Sequence, residues 1–490
     1  MDAQSLRSVI KSARDLMRKD AGLNTDVDRI PQLAWMLFLK CFDDFEQKRA
    51  ALDKKYKQAI PEGYRWNDWG KNTKLTGSDL IKFVNDDLFP KLSGLTGGQG
   101  LEQRDVISSI FRDLNNRVLS GYVLRQIIDI IDKVNFVSAD DIHTMAKLYE
   151  DMLVEMRDAA GSNGEFYTPR PVIRFMVEQI RPNLKKSEKI IDPACGTGGF
   201  LIESLEYMIK DEKSKADYEK LRYNTLYGID KKPMPYLLCM MNMLLHEVDK
   251  PNVVRTNPLS RPFREISERD QYDIIMTNPP FGGEEEEGTS KNMPQGLQTS
   301  DTALEFLVFI MLSLKEKGRC AIILPNGPMF ASGVAAKIKE KLLAEFNLHT
   351  IIRLPETVFE PYTTVATNIL FFDKTNPTKE IWYYQMKVAE RLRGATRAKN
   401  PKYTMTNPIE YQDFSEIIEW MKNKKQNENA WKVSIKDIEN FNLDFKNPND
   451  KDEVLDLSPH ELIDNILKDE ERTLELLREV KELIKKEVPK

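Results

Sequence analysis

The amino-acid sequence predicts an α/β fold: a parallel sheet with helices on both faces, an all-α domain before it and a helical tail after it. Three patterns carry that expectation. From about residue 165, short β-branched runs alternate with helical stretches, as expected of parallel strands joined by crossover helices. Residues 1–145 instead space their apolar side chains three and four apart, as helices do. Glu461–Glu487 carries Leu462, Ile463, Ile466, Thr473, Leu474, Leu477, Val480 and Ile484 near a 3.5-residue period, a seam that needs another helix to pair with.

The elements follow in chain order. Residues 31–48 open a helix at Pro31, with Leu33, Leu37, Phe38, Phe42 and Phe45 along one face. Residues 80–92, 103–114 and 122–134 continue the helical period around a Gly-rich break at Gly94–Gly100. Nothing here resembles a phosphate loop or an acidic pair, so this domain reads as scaffold or docking surface. Strands are expected at 189–192, 226–230, 252–255, 272–277, 319–324 and 349–354, with helices at 200–210, 234–246, 303–315 and 334–346 between them. Runs 366–372 and 380–384 flank Asn376-Pro377 and suggest a hairpin at the sheet edge. From Thr404 the texture turns mixed, Asn-rich and charged. In open α/β sheets ligands bind beyond the carboxyl ends of the strands, which says where to look for a site.

Composition narrows the function. A chain of 490 residues exceeds what one core usually serves. Its 41% hydrophobic and 30% charged residues fit a soluble globular protein, and the net charge of −5 argues against coating nucleic acid by bulk charge. No apolar run is long enough to span a bilayer, and the first residues lack a signal-peptide core. Cys41, Cys195, Cys239 and Cys320 form no C-x-x-C pair, and His143, His246, His349 and His460 are scattered. We therefore expect a cytoplasmic protein without disulfides or a metal site.

Asp192-Pro193-Ala194-Cys195-Gly196-Thr197-Gly198-Gly199 follows the first expected strand and precedes a helix. Glycines at such a turn let the backbone approach a ligand closely. The Lys-Ser/Thr ending of a P-loop is absent, and so is the third glycine of the dinucleotide fingerprint at its offset. Asp230, at the tip of the second strand, can accept from both hydroxyls of a ribose. An acid and a Gly turn without a phosphate cradle favour a nucleoside whose cationic tail replaces the pyrophosphate, as in S-adenosyl-L-methionine; a purely structural strand-to-helix turn is the alternative.

Asn278-Pro279-Pro280-Phe281 closes the fourth strand. The prolines fix φ and remove donors, so the Pro279 carbonyl and the Asn278 side-chain oxygen can converge on one exocyclic NH₂ group. Phe281 offers a face for the ring that carries this amine, a stack worth about 1–3 kcal/mol. Two such bonds favour a pyramidal nitrogen aimed at an electrophilic methyl, and holding both reactants in line supplies much of the rate. A base inside a duplex must first be turned out into such a pocket.

With both motifs in place, the chain resembles S-adenosylmethionine-dependent N6-adenine DNA methyltransferases, and more closely the modification subunit of type I restriction–modification systems. The resemblance implies a Rossmann-like methyltransferase domain at 146–403, a helical domain at 1–145 that clamps DNA or docks subunits, a mixed extension at 404–458 and a docking helix at 459–490. It extends to Gly164-Glu165-Phe166-Tyr167-Thr168-Pro169-Arg170-Pro171. By similarity Glu165, Phe166, Tyr167, Thr168, Pro169 and Arg170 line the cofactor. Asp192, Ala194, Cys195, Gly196, Thr197, Gly198 and Gly199 hold its methionine end, Asp230 its ribose, and Asn278, Pro279, Pro280 and Phe281 the target adenine. Where many relatives carry an acid after the third strand, this chain has Thr256-Asn257-Pro258, and Asn257 is placed at the adenosyl base. Cys195 is not the nucleophile of a cytosine-C5 enzyme, whose cysteine sits on a different loop.

The family delegates sequence choice to a specificity subunit, clamped with double-stranded DNA by two modification subunits, and a restriction/translocase subunit can join. That agrees with the acidic net charge and gives the C-terminal seam a partner. The tract Lys387, Arg391, Arg393, Arg397, Lys399 and Lys402, interrupted only by the acid Glu390, is expected either to follow the phosphate backbone or to form a solvated surface. Glu284–Glu287, beside the tetrapeptide, would repel DNA unless it swings aside or meets a basic partner. Competing readings are methylation of a protein glutamine, an N4-cytosine product, and a non-catalytic nucleic-acid scaffold.

Overall fold

The computed structural model describes residues 3–98, 102–134, 136, 145–146, 149–154, 167–282, 288–360, 362–395, 402–404, 406–449, 463, 467 and 470. Among them, nine strands form one sheet: β1 Ile190–Asp192, β2 Leu226–Asp230, β3 Asn252–Arg255, β4 Tyr272–Thr277, β5 Leu314–Pro325, β6 Asn347–Arg353, β7 Thr367–Asp373, β8 Glu380–Gln385 and β9 Ala430–Ser434. Their order is β3-β2-β1-β4-β5-β7-β6-β8-β9. The first five in that order are mutually parallel; β7 and β9 run against their neighbours.

Alternate strand residues serve opposite faces, because side chains along a strand point up and down in turn. Ile190, Ile274, Met276, Ala321 and Ile323 pack in one core with Phe175, Leu201 and Leu205 of the helices Arg170–Ile180 and Gly199–Ile209. Ile191, Ile275, Cys320, Ile322 and Leu324 pack in the other, with Phe306 and Ile310 of helix Thr302–Ser313 and Ile338 and Leu342 of helix Val334–Glu345. Burial on both faces explains the near-continuous apolar strands.

Three sequence expectations are corrected. The helix expected to open at Pro31 begins at Asp26 and runs to Leu52 with Pro31 inside it. Its start is set by Thr25, whose backbone N–H and hydroxyl donate to the Asp28 carboxylate at 3.1 and 2.8 Å; such reciprocal capping satisfies donors that a proline position does not. Second, β7 and β8 are not a hairpin. β6 lies between them, antiparallel to β7 and parallel to β8. The Asn376-Pro377 connection passes over the start of β6, where the Thr378 hydroxyl donates to Phe346 O (2.7 Å) and accepts from Leu348 N (2.9 Å). Third, the stretch from 404, expected as a separate extension, is built into the sheet: β9 pairs with β8, Trp431 stacks on Tyr383 at 5.3 Å and Phe414 on Phe175 at 4.6 Å.

The N-terminal helices bury Trp35, Leu37, Trp66 and Ile127 in a core continuous with one face of the sheet domain. Helix Asp26–Leu52 packs along helix Pro233–Leu245, and Arg49 at its end pairs with buried Asp249. By contacts the chain divides into residues 1–445 and residues 446–490. The expected helix 461–487 lies outside the described residues except for Ile463, Leu467 and Glu470, each helical. No helix among the described residues is long and apolar enough to cross a membrane.

Candidate active site

Strand order reverses between β1 and β4, and the crevice beyond their carboxyl ends is where an open α/β sheet takes a ligand. Asp192 ends β1, and the Gly turn starts there. The Cys195 N–H donates to Ile229 O at 2.9 Å and the Gly198 N–H to Cys195 O at 2.7 Å, which folds the turn against β2. Gly196 and Gly198 have φ of 52° and 82°. A β-carbon on Gly198 would also lie 2.9 Å from Cys239 Sγ, so the turn has neither conformational nor steric room for a side chain there.

Two carboxylates flank this turn. Asp230, at the tip of β2, accepts the Gly196 N–H (2.9 Å) on one oxygen and the Lys232 N–H (2.8 Å) on the other. Burial pushes its acid up to about 6 despite these bonds. Asp192 is nearly inaccessible and accepts the Ala194 N–H at 3.1 Å; burial pushes it up to about 7. Each buried acid lacks an opposite charge strong enough to offset desolvation, an arrangement suited to a cationic or hydroxyl-bearing ligand. Cys195 is held well above the usual thiol range by its contact with Cys239 and by burial, which leaves no thiolate nucleophile.

Two cavities open around the turn. One is lined by Ala194, Gly196, Asp230, Lys231, Asn257 and Asn278, with Phe306 and Pro280. The other is lined by Thr168, Asp192, Cys195, Thr197, Gly199 and Asn278, with Ala194 and Phe200. Ala194 and Asn278 belong to both.

The tetrapeptide stands at that junction. The Asn278 side-chain N–H donates to Thr168 Oγ1 at 3.0 Å, which fixes the amide's orientation. Its Oδ1 is buried and has no hydrogen-bond partner among the described residues. An unsatisfied buried acceptor costs about 1–3 kcal/mol and calls for a donor. Phe281 packs edge-on against Phe359 (5.5 Å) and tilted against Tyr362 (6.0 Å), and it lines neither of the two cavities.

The remaining expected residues fall in varied places. Asn257 lines the larger cavity, and its Oδ1 accepts the Leu259 N–H at 3.0 Å. Of the 167–170 segment only Thr168 lines a cavity; Tyr167 is buried and Pro169 caps helix Arg170–Ile180. Arg170 lines neither cavity: its guanidinium lies against Gly199 and pairs with Glu150. In the basic tract, Arg391 is held by Asp413 at 2.9 Å and Glu410 at 3.3 Å, Lys387 pairs with Glu428 and Lys402 with Glu360. Glu165, Phe166, Glu284–Glu287, Arg397 and Lys399, and the side chain of Arg393, lie outside the described residues. Sequence reading missed Lys231, Phe306, Tyr362 and Glu150. Lys231 adjoins Asp230 and was within reach of that argument; the others come from distant segments without a motif.

An open sheet with a Gly turn after β1, an acid on β2 and Asn-Pro-Pro-Phe after β4 defines the S-adenosylmethionine-dependent methyltransferase fold. Comparison with known proteins agrees. Residues 140–456 match the N-6 DNA Methylase family model and residues 6–131 the HsdM N-terminal domain. The chain is 44% identical over 473 residues to the methylase subunit of the type I restriction enzyme EcoEI from Escherichia coli, covering 94% of this chain and 93% of that one. It is 27% identical to the StySPI methylase subunit of Salmonella potsdam, covering 75% and 69%. A crystal structure of a modification subunit assigned to a type I restriction enzyme of Vibrio vulnificus YJ016 superposes with TM-score 0.81 at 46% identity, over 93% of this chain and 99% of that one. A chain from a study of type I R-M complex assembly and conformational transition gives 0.82 at 35%, over the whole of both. The protein belongs to the N-6 DNA methylase family as a type I restriction–modification methylase subunit, and is an adenine-specific DNA methyltransferase.

Proposed function

We propose that the protein transfers a methyl group from S-adenosyl-L-methionine to the N6 amine of an adenine turned out of duplex DNA, at sites chosen by a separate specificity subunit. The observation that carries this reading is Asn278: it lines both cavities, its amide is oriented by Thr168, and its Oδ1 lacks a donor. The cofactor fits the residues present. Gly196 lines the larger cavity and Gly199 the smaller, Asp230 presents carboxylate oxygens toward a ribose, and Asp192 places an acid beside the cationic end. Asn257 lies at the base side. When bound, S-adenosylmethionine supplies an electrophilic methyl on a sulfonium.

The chain's own residues prepare the amine. Asn278 Oδ1 accepts one amine hydrogen and the Pro279 carbonyl the other, which draws the nitrogen lone pair out of conjugation and toward the methyl. Pro280 keeps the strand end rigid, and Phe281, braced by Phe359 and Tyr362, stacks the base. The N–C bond forms as the C–S bond breaks, and the cationic product nitrogen loses its extra proton to water without a strong general base.

The partners proposed are double-stranded DNA, a specificity subunit joined by two modification subunits, and a restriction/translocase subunit. Residues 459–490 are proposed to dock the specificity subunit. For phosphate contact the tract keeps Lys387, Arg393, Arg397 and Lys399, while Arg391 is committed to Asp413 and Glu410. The deciding experiment assembles the protein with its specificity subunit and supplies radiolabelled S-adenosylmethionine with plasmid DNA. Label recovered as N6-methyladenine supports the reading; label in protein, or in N4-methylcytosine, overturns it.

A further inference from the structure

We propose that Glu150 is a positioning residue that sets the cofactor turn and the target amide in register through one half-buried carboxylate, an inference that rests on the donor-and-adenine reading of the site. Glu150 lies outside both cavities, in the helical stretch before the 167–170 segment. Its two oxygens take two donors of Arg170: Nε to Oε2 at 2.6 Å, and Nη2 to Oε1. Such two-point pairing fixes the plane of a guanidinium as well as its distance. Arg170 follows Thr168 by two residues, so holding Arg170 holds the hydroxyl that orients Asn278 at 3.0 Å. The same oxygen, Oε1, also accepts from Asn242 Nδ2 at 2.8 Å, and that nitrogen gives its other hydrogen to Thr197 O at 3.0 Å. Thr197 lies inside the Gly turn. Asn242 is fully buried in helix Pro233–Leu245.

The charge on Glu150 decides these orientations. Reversing the Asn242 amide would set its oxygen against the carboxylate and against the Thr197 carbonyl. Glutamine at 150 would present N–H donors to the donors of Arg170 or Asn242 and leave a half-buried guanidinium without its counter-charge. The turn lies directly on this pair, since a β-carbon at Gly199 would meet Arg170 Nη1 at 2.8 Å. One carboxylate thus reaches the target amide through Arg170 and Thr168, and the donor turn through Asn242.

The test uses full-length wild type, E150Q, N242L and the double variant E150M/R170M. S-adenosylmethionine affinity is measured by calorimetry, unfolding midpoints by thermal denaturation, and KM and kcat in the assembled complex on DNA. E150Q and N242L should lose affinity on the order of 10- to 100-fold with a fall in kcat, the scale of orienting contacts. Replacing both ions with apolar side chains commonly restores stability, so E150M/R170M should recover the unfolding midpoint without recovering affinity. Wild-type affinity and kcat in N242L, or affinity returning together with stability in the double variant, would overturn the positioning role. Should E150Q fail to fold, N242L, which leaves the ion pair intact, carries the test. No uptake of S-adenosylmethionine by the wild type would reject the donor-pocket reading itself.

Discussion

Asp192 and Asp230 make the site sensitive to pH in a defined direction. Burial raises both acids, to about 7 and about 6, so near neutrality the free protein still holds part of their protons. A cationic tail and ribose hydroxyls bind the ionised forms. Affinity for S-adenosylmethionine should therefore climb from pH 5 to pH 8 in calorimetric titrations, and a flat profile would count against both assignments. The effect on stability has the opposite sign. Between the unfolded value near 3.8 and the folded value near 7, the native state binds more protons than the unfolded state, so stability falls as pH rises through that window. Asp192→Asn should raise the unfolding midpoint at pH 8, raise it by a smaller margin at pH 5, and weaken donor binding. Asn278→Ala acts elsewhere: donor affinity should persist while methylation of DNA drops by about two orders of magnitude or more, as expected when a preorganised transition-state contact is removed. Retained turnover in a filter-binding assay would refute the polarising role of that side chain.

At the scale of elements, the β6–β8 crossing shows how a short connection sets sheet order. A strand pair is spaced by about 4.8 Å, so stepping over β6 takes the chain two spacings from β7. Thr378 anchors that step from both sides of its hydroxyl, and it is itself buried. Thr378→Val keeps the shape and leaves Phe346 O and Leu348 N without this partner. It should cost about 1–3 kcal/mol in urea denaturation, without changing donor affinity, because the crossing lies at the opposite end of the strands from the Gly turn. An unchanged midpoint would show that the crossing does not depend on this anchor.

Across the whole molecule, the helical domain and the sheet domain are joined by charge as well as by apolar packing. Burial alone would raise Asp249, yet its bonds to Arg49 and Tyr223 hold it below the ordinary carboxylate range. That stabilisation is present above the unfolded pKa and disappears as pH falls through the folded one. Asp249→Asn removes the buried partner of a pair whose Arg49 is about a third exposed and should destabilise the protein by about 1–3 kcal/mol, with earlier exposure of the N-terminal helices in hydrogen exchange; simultaneous, wild-type-like exchange would contradict this. Residues 446–490 form a separate unit in which Ile463 and Leu467 are more than half exposed. Deleting 461–490 should leave a folded, donor-binding protein that no longer co-elutes with its specificity subunit, and an intact complex in size exclusion would remove the docking role.

The strand positions, the Gly turn and the Asn-Pro-Pro-Phe end were legible along the chain because their physics is local. A buried strand needs a short run of β-branched residues, a turn with positive φ needs glycine, and a rigid acceptor needs proline. β2, β3 and β4 accordingly have the bounds that the residue patterns predict. Tertiary structure alone decided that β6 separates β7 from β8, that Thr168 orients Asn278, that Phe359 and Tyr362 brace Phe281, and that Glu150 joins Arg170 to Asn242. Each of these pairings brings together segments whose own periodicity is satisfied equally well by other neighbours, so the choice is made by which buried donors and acceptors find one another once the sheet has closed.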